Sequence, residues 1–311
     1  MTNNEDDRDS TVAQLEKHIL QLMERGYKRE ALKLIQSATE GESELAPIPE
    51  KDGFDLIRKY CHEQMKVVGI HQPNYFPWLG YFHKIYYSDI FVFLDDVQIG
   101  QRSFVNRVFI RNKSGKNYLR IPLIKHHRTD KIQDVYPFQD EWKQQNIALL
   151  KYYKNYPCFD EYFPQIELMI LKCDVNHSIS EINIRLIREM CGLLNIESEF
   201  IKSSTLNILS TKAQRMIDIT KALNGTIYLS GAGAEKYQKD ISPPKDVKIV
   251  YQEIYNFLNR HPYHSLGLFI NGLSVIDALF CVGANGILKI FDAYTEMMTG
   301  NQNKISKHAS Q

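Results

Sequence analysis

Residues 67–107 read VVGIHQPNYFPWLGYFHKIYYSDIFVFLDDVQIGQRSFVNR. Val67-Val68-Gly69-Ile70 is short and apolar enough for a buried strand, and His71-Gln72-Pro73-Asn74-Tyr75 is what a chain places where it leaves a sheet. From Trp78 to Tyr87 the apolar positions Leu79, Phe82 and Tyr86 recur at helical spacing, and Ile90 to Leu94 is a second buried run. Strand, helix and strand in about thirty residues predict a crossover with parallel pairing. The polar groups at both strand exits then lie on the carboxyl edge of an open sheet, where such folds bind ligands.

The pattern extends outward on both sides. Ser10 or Thr11 can cap a helix with Val12, Leu15, Ile19 and Leu22 on one face, ended by Gly26. A second helix is predicted from about Lys28 to Ser37 and a third over roughly Phe54 to Lys66. Residues 1–66 thus form an N-terminal helical appendage with no polar constellation, suited to packing on its parent domain, to self-association or to a partner protein. Phe104 to Ile110 and Tyr118 to Ile124 predict an antiparallel hairpin, with Asn112 and Gly115 in its turn. Helices follow at about Asp140 to Tyr153, Phe159 to Leu171 and Ser178 to Leu194, then a strand near Phe200. A helix from a Ser210 or Thr211 cap to Leu223 and a strand at Thr226 to Leu229 come next. A short helix ending near Tyr237, a strand at Val247 to Tyr251 and a helix at about Ser274 to Val282 complete the domain. The expected class is α/β: a mainly parallel Rossmann-like sheet with flanking helices, the hairpin and the appendage, in a domain over 67–295 with a polar tail at 296–311.

The totals narrow the function. With 38 basic and 37 acidic side chains the net charge is +1, so the molecule as a whole lacks the field that draws proteins to nucleic acid or anionic lipid. No apolar run approaches the roughly 20 residues that cross a bilayer, and the acidic start MTNNEDDRDS is unlike a signal peptide. A cytoplasmic location is expected. Cys61, Cys158, Cys173, Cys191 and Cys281 are scattered without a C-x-x-C pair, so no zinc site and no other metal site is predicted.

Each candidate site residue has two readings. His71 and Gln72 offer an imidazole and an amide beside the rigid Pro73, for ligand binding or proton transfer, or merely for a turn whose carbonyls they satisfy. Asp95-Asp96 ends the second strand, where two carboxylates require stabilisation; Arg102, Arg107 and Arg111 are the available cations, and one aspartate can serve in catalysis. Asn106-Arg107 can receive phosphate or carboxylate, or Arg107 can pair with an aspartate and only shape the site. Ser230-Gly231-Ala232-Gly233, running on to Tyr237, follows a strand and suits an anion, although small residues also occur where a loop passes close to a sheet. The full G-x-G-x-x-G and G-x-x-x-x-G-K-[ST] patterns are absent. Tyr75 and Trp78 can wall a sugar or base pocket, or belong with the core aromatics. Ser203-Ser204, Lys212 and Arg215 fit a helix cap and a solvated or anion-facing turn.

Several separated motifs agree in order with one family. IHQPNYFPWLGYFHKI, SDIFVFLDDVQ, RSFVNR, YLRIPL, YKNYPCF, IYLSGAGAEKY and LSVIDALFCVG together resemble the WbqC-like family, over most of Val67 to about Gly286, with departures at His264 and Cys281. The resemblance implies a bacterial cytoplasmic protein of O-antigen, capsule or related glycan assembly. A second resemblance, over Val67 to about Ile99, is to pantothenate-synthetase-type nucleotidyl-transfer enzymes; both histidines of their His-x-Gly-His motif are missing here. An anion-friendly mouth inside a glycan-associated family motivates the expectation of an enzyme that attaches an acyl or aminoacyl group to a nucleotide-linked amino sugar, and the second resemblance adds ATP as a candidate cofactor. His71, Asp95 and Asp96 are then the candidate catalytic groups. Gln72, Tyr75, Trp78, Asn106, Arg107, Ser230, Gly231, Gly233 and Tyr237 are the candidate binding groups. The alternative is a noncatalytic subunit that binds a nucleotide sugar or another anionic small molecule.

Overall fold

The computed structural model describes residues 14–40, 65–231, 246–258 and 272–298, apart from positions 16, 24, 102, 114 and 253. The Ser10 or Thr11 cap, the Phe54 to Lys66 helix before Met65, Arg102, Gly233, Tyr237 and His264 lie outside these residues.

The β1 strand (Val67–His71) leads through α2 (Leu79–Tyr86) to β2 (Ile90–Phe93). Later come β5 (Glu199–Lys202), α6 (Lys212–Ala222), β6 (Ile227–Gly231) and β7 (Lys248–Gln252). These strands form one parallel sheet in the order β5-β2-β1-β6-β7. Alternate residues divide the core, as strand geometry requires. Val67, Phe91, Phe93, Ile227 and Leu229 pack in the large cluster with α2 and with α8 (Val275–Met298). Val68, Ile70, Ile90, Val92 and Tyr228 face Ile217 and Ile219 of α6 on the other side. Helices thus cover both faces, and every residue of β1 and β2 except His71 is buried. Gly69 lets α2 come close: a Cβ there would lie 2.3 Å from Ser88 Oγ and 3.3 Å from Lys84 Cγ.

Between β2 and β5 the chain inserts the hairpin of β3 (Arg107–Asn112) and β4 (Gly115–Arg120) and three helices, α3 (Trp142–Leu150), α4 (Phe159–Leu171) and α5 (Ile179–Leu193). The hairpin is tighter than its expected bounds. Arg111, Asn112, Lys116 and Asn117, polar enough to suggest a loop, are paired strand residues with register Arg111↔Lys116 and Ile110↔Asn117. Ser178 caps α5 reciprocally with Glu181, a capping box. The last helix breaks at the expected Val282: Gly283, at φ 69 and ψ 177, is non-helical, and a second helical run continues beyond this kink to Met298.

Helical residues 14–23 and α1 (Lys28–Glu40) join the main core rather than standing apart from it. Ile19, Leu22, Ala31 and Ile35 share a cluster with Ile85, Tyr87, Phe291 and Tyr294, and Lys28 Nζ lies 3.0 Å from Asp89 Oδ1. Glu30 is buried in this junction, beside Tyr87 and Lys33, and has no salt bridge among the described residues; burial pushes its carboxyl up to about 7 from 4.5. The native state therefore holds a proton that the unfolded chain releases between those values, so stability falls as pH rises through that window and levels off above it. The full difference is about 3 kcal/mol. Glu30→Gln should flatten this dependence and leave the variant more stable than the parent at pH 8, as read by urea unfolding at pH 5 and pH 8; an unchanged pH slope would assign the effect elsewhere.

Candidate functional site

The chain leaves β1 toward β2 and β5, then returns to the other side of β1 for β6 and β7. The reversal lies between β1 and β6, and ligands of open parallel sheets bind outside the carboxyl ends of the strands at such a switch point. Two groups singled out from sequence meet there, His71 ending β1 and Gly231 ending β6.

A third group sits between them. Lys84, on α2, is 3% exposed, and its Nζ is 3.4 Å from Ile70 O. A methyl group placed on Gly231 would stand 3.7 Å from the same Nζ. Among the described residues no carboxylate forms a salt bridge with it. Burial pulls its ammonium down to about 8. A buried cation with one long hydrogen bond to a carbonyl is costly to keep, and an arriving anion is the natural counter-charge.

His71 is partly exposed beside it. Its Nδ1 is 3.1 Å from Gln72 O, and because a carbonyl only accepts, Nδ1 carries the hydrogen and Nε2 the lone pair. Burial, and then the Lys84 charge, push its pKa down to about 3, so the ring is neutral near pH 7. Tyr81 fixes the arrangement, with its ring centroid 4.8 Å from the His71 ring and its hydroxyl donating to Gln72 O at 3.0 Å. An anion at Lys84 would remove one of the two influences that keep His71 a weak base.

The neighbouring loop is held at many points. Asn183 on α5, fully buried, donates to Pro73 O at 2.9 Å and Val105 O at 2.7 Å. Tyr75 N–H donates to Phe104 O, Ser274 Oγ to Phe76 O and Val275 N–H to Pro77 O. Gln252, at the end of β7, donates to Gly80 O at 2.8 Å and lies 2.6 Å from His83 Nδ1. His83 is neutral, its pKa pushed well down by burial, and it lies among Tyr87, Phe291 and Tyr294. Trp78 precedes the first turn of α2, partly exposed, with its indole so close over Gly80 that a Cβ there would be 2.1 Å from the ring. Only glycine fits beneath it.

The remaining candidates fall elsewhere. Asp95 is buried and its carboxylate accepts from Ser203 Oγ at 3.1 Å, Ser204 N–H at 3.0 Å and Ser204 Oγ at 2.7 Å. Asp96 accepts from Ser203 Oγ and forms a salt bridge with Arg215. The cation is therefore neither Arg107 nor Arg111, as expected, but a residue of α6, and the pair of aspartates joins the end of β2 to the turn after β5. Arg111 instead meets Asp277. Asn106 bonds Ile121 O across the hairpin at 3.1 Å, and the Arg107 guanidinium lies 5.0 Å over the Tyr118 ring. Tyr75, expected at a pocket wall, is completely buried against Phe76 and Trp142, with its hydroxyl bonded by Asn146. Ser230 is also fully buried, and strand alternation puts its side chain on the opposite face from Gly231. Among the described residues no group of three or more His, Cys, Asp or Glu side chains is arranged to hold a metal ion, and no helix is long and apolar enough to cross a membrane.

The profile of the WbqC-like protein family matches residues 72–288. The chain belongs to this family. The matched span takes in α2, the hairpin, the inserted helices, β6 and the first part of α8, so the switch-point groups Lys84 and Gly231 fall inside it and His71 immediately before it. This WbqC-like chain is also similar to the uncharacterized protein Rv1507c of Mycobacterium tuberculosis (strain ATCC 25618 / H37Rv), 27% identical over 224 residues that cover 71% of the chain and 95% of that protein. No solved structure matches.

Proposed function

We propose that the carboxyl edge of β1 and β6 is the active site of a surface-glycan enzyme that transfers an acyl or aminoacyl group to a nucleotide-linked amino sugar. The observation that carries this reading is the buried Lys84 ammonium, without a carboxylate partner among the described residues, beside a neutral His71 whose Nε2 is an acceptor. In this scheme Lys84 receives a phosphate or carboxylate oxygen of the substrates. His71 Nε2 takes the proton released as the sugar amine attacks the acyl carbon of a thioester or acyl phosphate, the carbon–sulfur or carbon–oxygen bond of that donor breaks with the electron pair leaving on the thiolate or phosphate, and Trp78 walls the site. The anchored Gln72 to Trp78 loop keeps these groups in place before substrate arrives. The glycan setting and the use of ATP rest on the family resemblance.

The test incubates the full chain with nucleotide-linked amino sugars, ATP and amino acids or acyl thioesters, and reads product by mass spectrometry. His71→Ala should lower turnover about 100-fold while calorimetry still shows nucleotide-sugar binding. Turnover unchanged in His71→Ala removes the histidine from the chemistry. Binding with no product from any donor would replace the enzyme reading with that of a nucleotide-sugar binding subunit.

A further inference from the structure

We propose that the outer face of the β3–β4 hairpin and the segment after it docks on an anionic lipid surface. One side of the hairpin, Val108, Ile110 and Leu119, is buried in the core. The other side carries Arg107 opposite Arg120 and Phe109 opposite Tyr118. Both arginines lie over the Tyr118 ring, at 5.0 and 5.8 Å, and neither has a carboxylate partner among the described residues. Beyond β4 the chain continues alongside residues 136–138, with Ile124 N–H bonded to Tyr136 O and Phe138 N–H to Pro122 O. That pairing turns Ile124, Tyr136 and Phe138 outward, at 49%, 40% and 58% exposure. With Phe104, whose ring centroid lies 6.4 Å from that of Phe109, they make up half of the eight large hydrophobic side chains that stand exposed among the described residues.

The chemistry selects the occupant. Lys125, His126, His127 and Arg128 follow Ile124 and are all exposed, so basic groups flank the apolar side chains. The acidic groups nearby are Asp134, the exposed Glu141, Asp130, which accepts from His127 N–H, and Asp140, which is paired with Lys143. Cations beside exposed aromatic rings match a headgroup layer, in which phosphates meet arginines and rings enter the acyl boundary. A base-stacking platform for single-stranded nucleic acid needs open ring faces. Here Phe109 and Tyr118 stack on each other with centroids 4.2 Å apart and are overlaid by cations. A second copy of the chain would bring arginines against arginines.

The test of this face does not require activity. Full-length protein is floated with vesicles of equal parts phosphatidylglycerol and phosphatidylcholine, and with phosphatidylcholine alone. The parent should float with the anionic vesicles only and be released by added salt. Arg107→Gln/Arg120→Gln should partition about 30-fold less, at about 1 kcal/mol per basic residue near such a surface. Tyr136→Ser/Phe138→Ser, on exposed positions that leave the core intact, should lose about tenfold. Absence of flotation at low salt, equal flotation with neutral vesicles, or parent-like partitioning of both variants overturns the proposal. Retention on heparin without flotation also overturns it and assigns the arginines to a soluble polyanion, and a dimer disrupted by the Tyr136 and Phe138 changes without flotation assigns the face to self-association.

Discussion

Asp277→Ala is expected to cost about 3–5 kcal/mol of stability, because it leaves Arg111 charged in surroundings arranged for a pair. Asp277 is 2% exposed and accepts from Arg111 Nε at 3.0 Å, Arg111 Nη2 at 3.1 Å and the Tyr153 hydroxyl at 2.9 Å. Arg111 N–H donates in turn to Tyr153 Oη at 2.8 Å. These groups come from β3, from the turn Lys151–Tyr153 and from the first turn of α8, so they fasten the hairpin to the helical layer. Burial raises the Asp277 pKa despite the adjacent guanidinium, while the carboxylate pushes the Arg111 pKa up. The charged pair is thus not itself a large source of net stability; the loss comes from taking the two-point carboxylate contact away from a largely buried guanidinium. Arg111→Met/Asp277→Leu should accordingly recover most of what Asp277→Ala loses. Urea unfolding, compared at constant slope, measures both. A single-variant loss below about 1 kcal/mol, or a double variant no better than the single, would show that the pair does not carry this burden.

The parallel core was legible because its strands are short apolar runs bounded by turn residues. Val67 to Ile70 and Ile90 to Leu94 could be little else, and His71 followed as a strand exit. The hairpin ends were harder, since the exposed Lys116 and the Asp277-paired Arg111 stand on strands where local polarity suggests a loop. The partners of Asp95 and Asp96 were out of reach for another reason. Ser203 and Arg215 stand more than a hundred positions away, and only the folded sheet brings the end of β2 beside the turn after β5. Lys84 did leave a local trace. LGYFHKIY has no polar face, every one of its residues is buried, and a lysine in a helix that is apolar all round cannot reach water by the usual route. Tyr75 left none, because an aromatic residue in a loop reads alike whether it walls a pocket or, as here, fills the core.

Lys84→Met should move stability and binding in opposite directions. Burial lowers the ammonium pKa from 10.5 to about 8, so at neutral pH the native state bears a charging penalty of about 3 kcal/mol, which methionine, similar in length and apolar, removes. The sign is testable. Between pH 8 and 10.5 the unfolded parent binds more protons than the native one, so this lysine makes stability rise with pH there, and the variant lacks that component of the rise. Affinity for a nucleotide-linked sugar, in contrast, should fall about 100-fold with loss of a desolvated charge-assisted contact. Lys84→Arg should not restore it, because a planar guanidinium differs in size and donor geometry from the compact ammonium whose Nζ lies 3.4 Å from Ile70 O. A gain in stability with a loss of binding is what separates a lysine kept for its ligand from one kept for the fold. If Lys84→Met instead lowers the unfolding midpoint and leaves affinity intact, the ammonium is a structural group and the edge of β1 and β6 loses its anion-binding role.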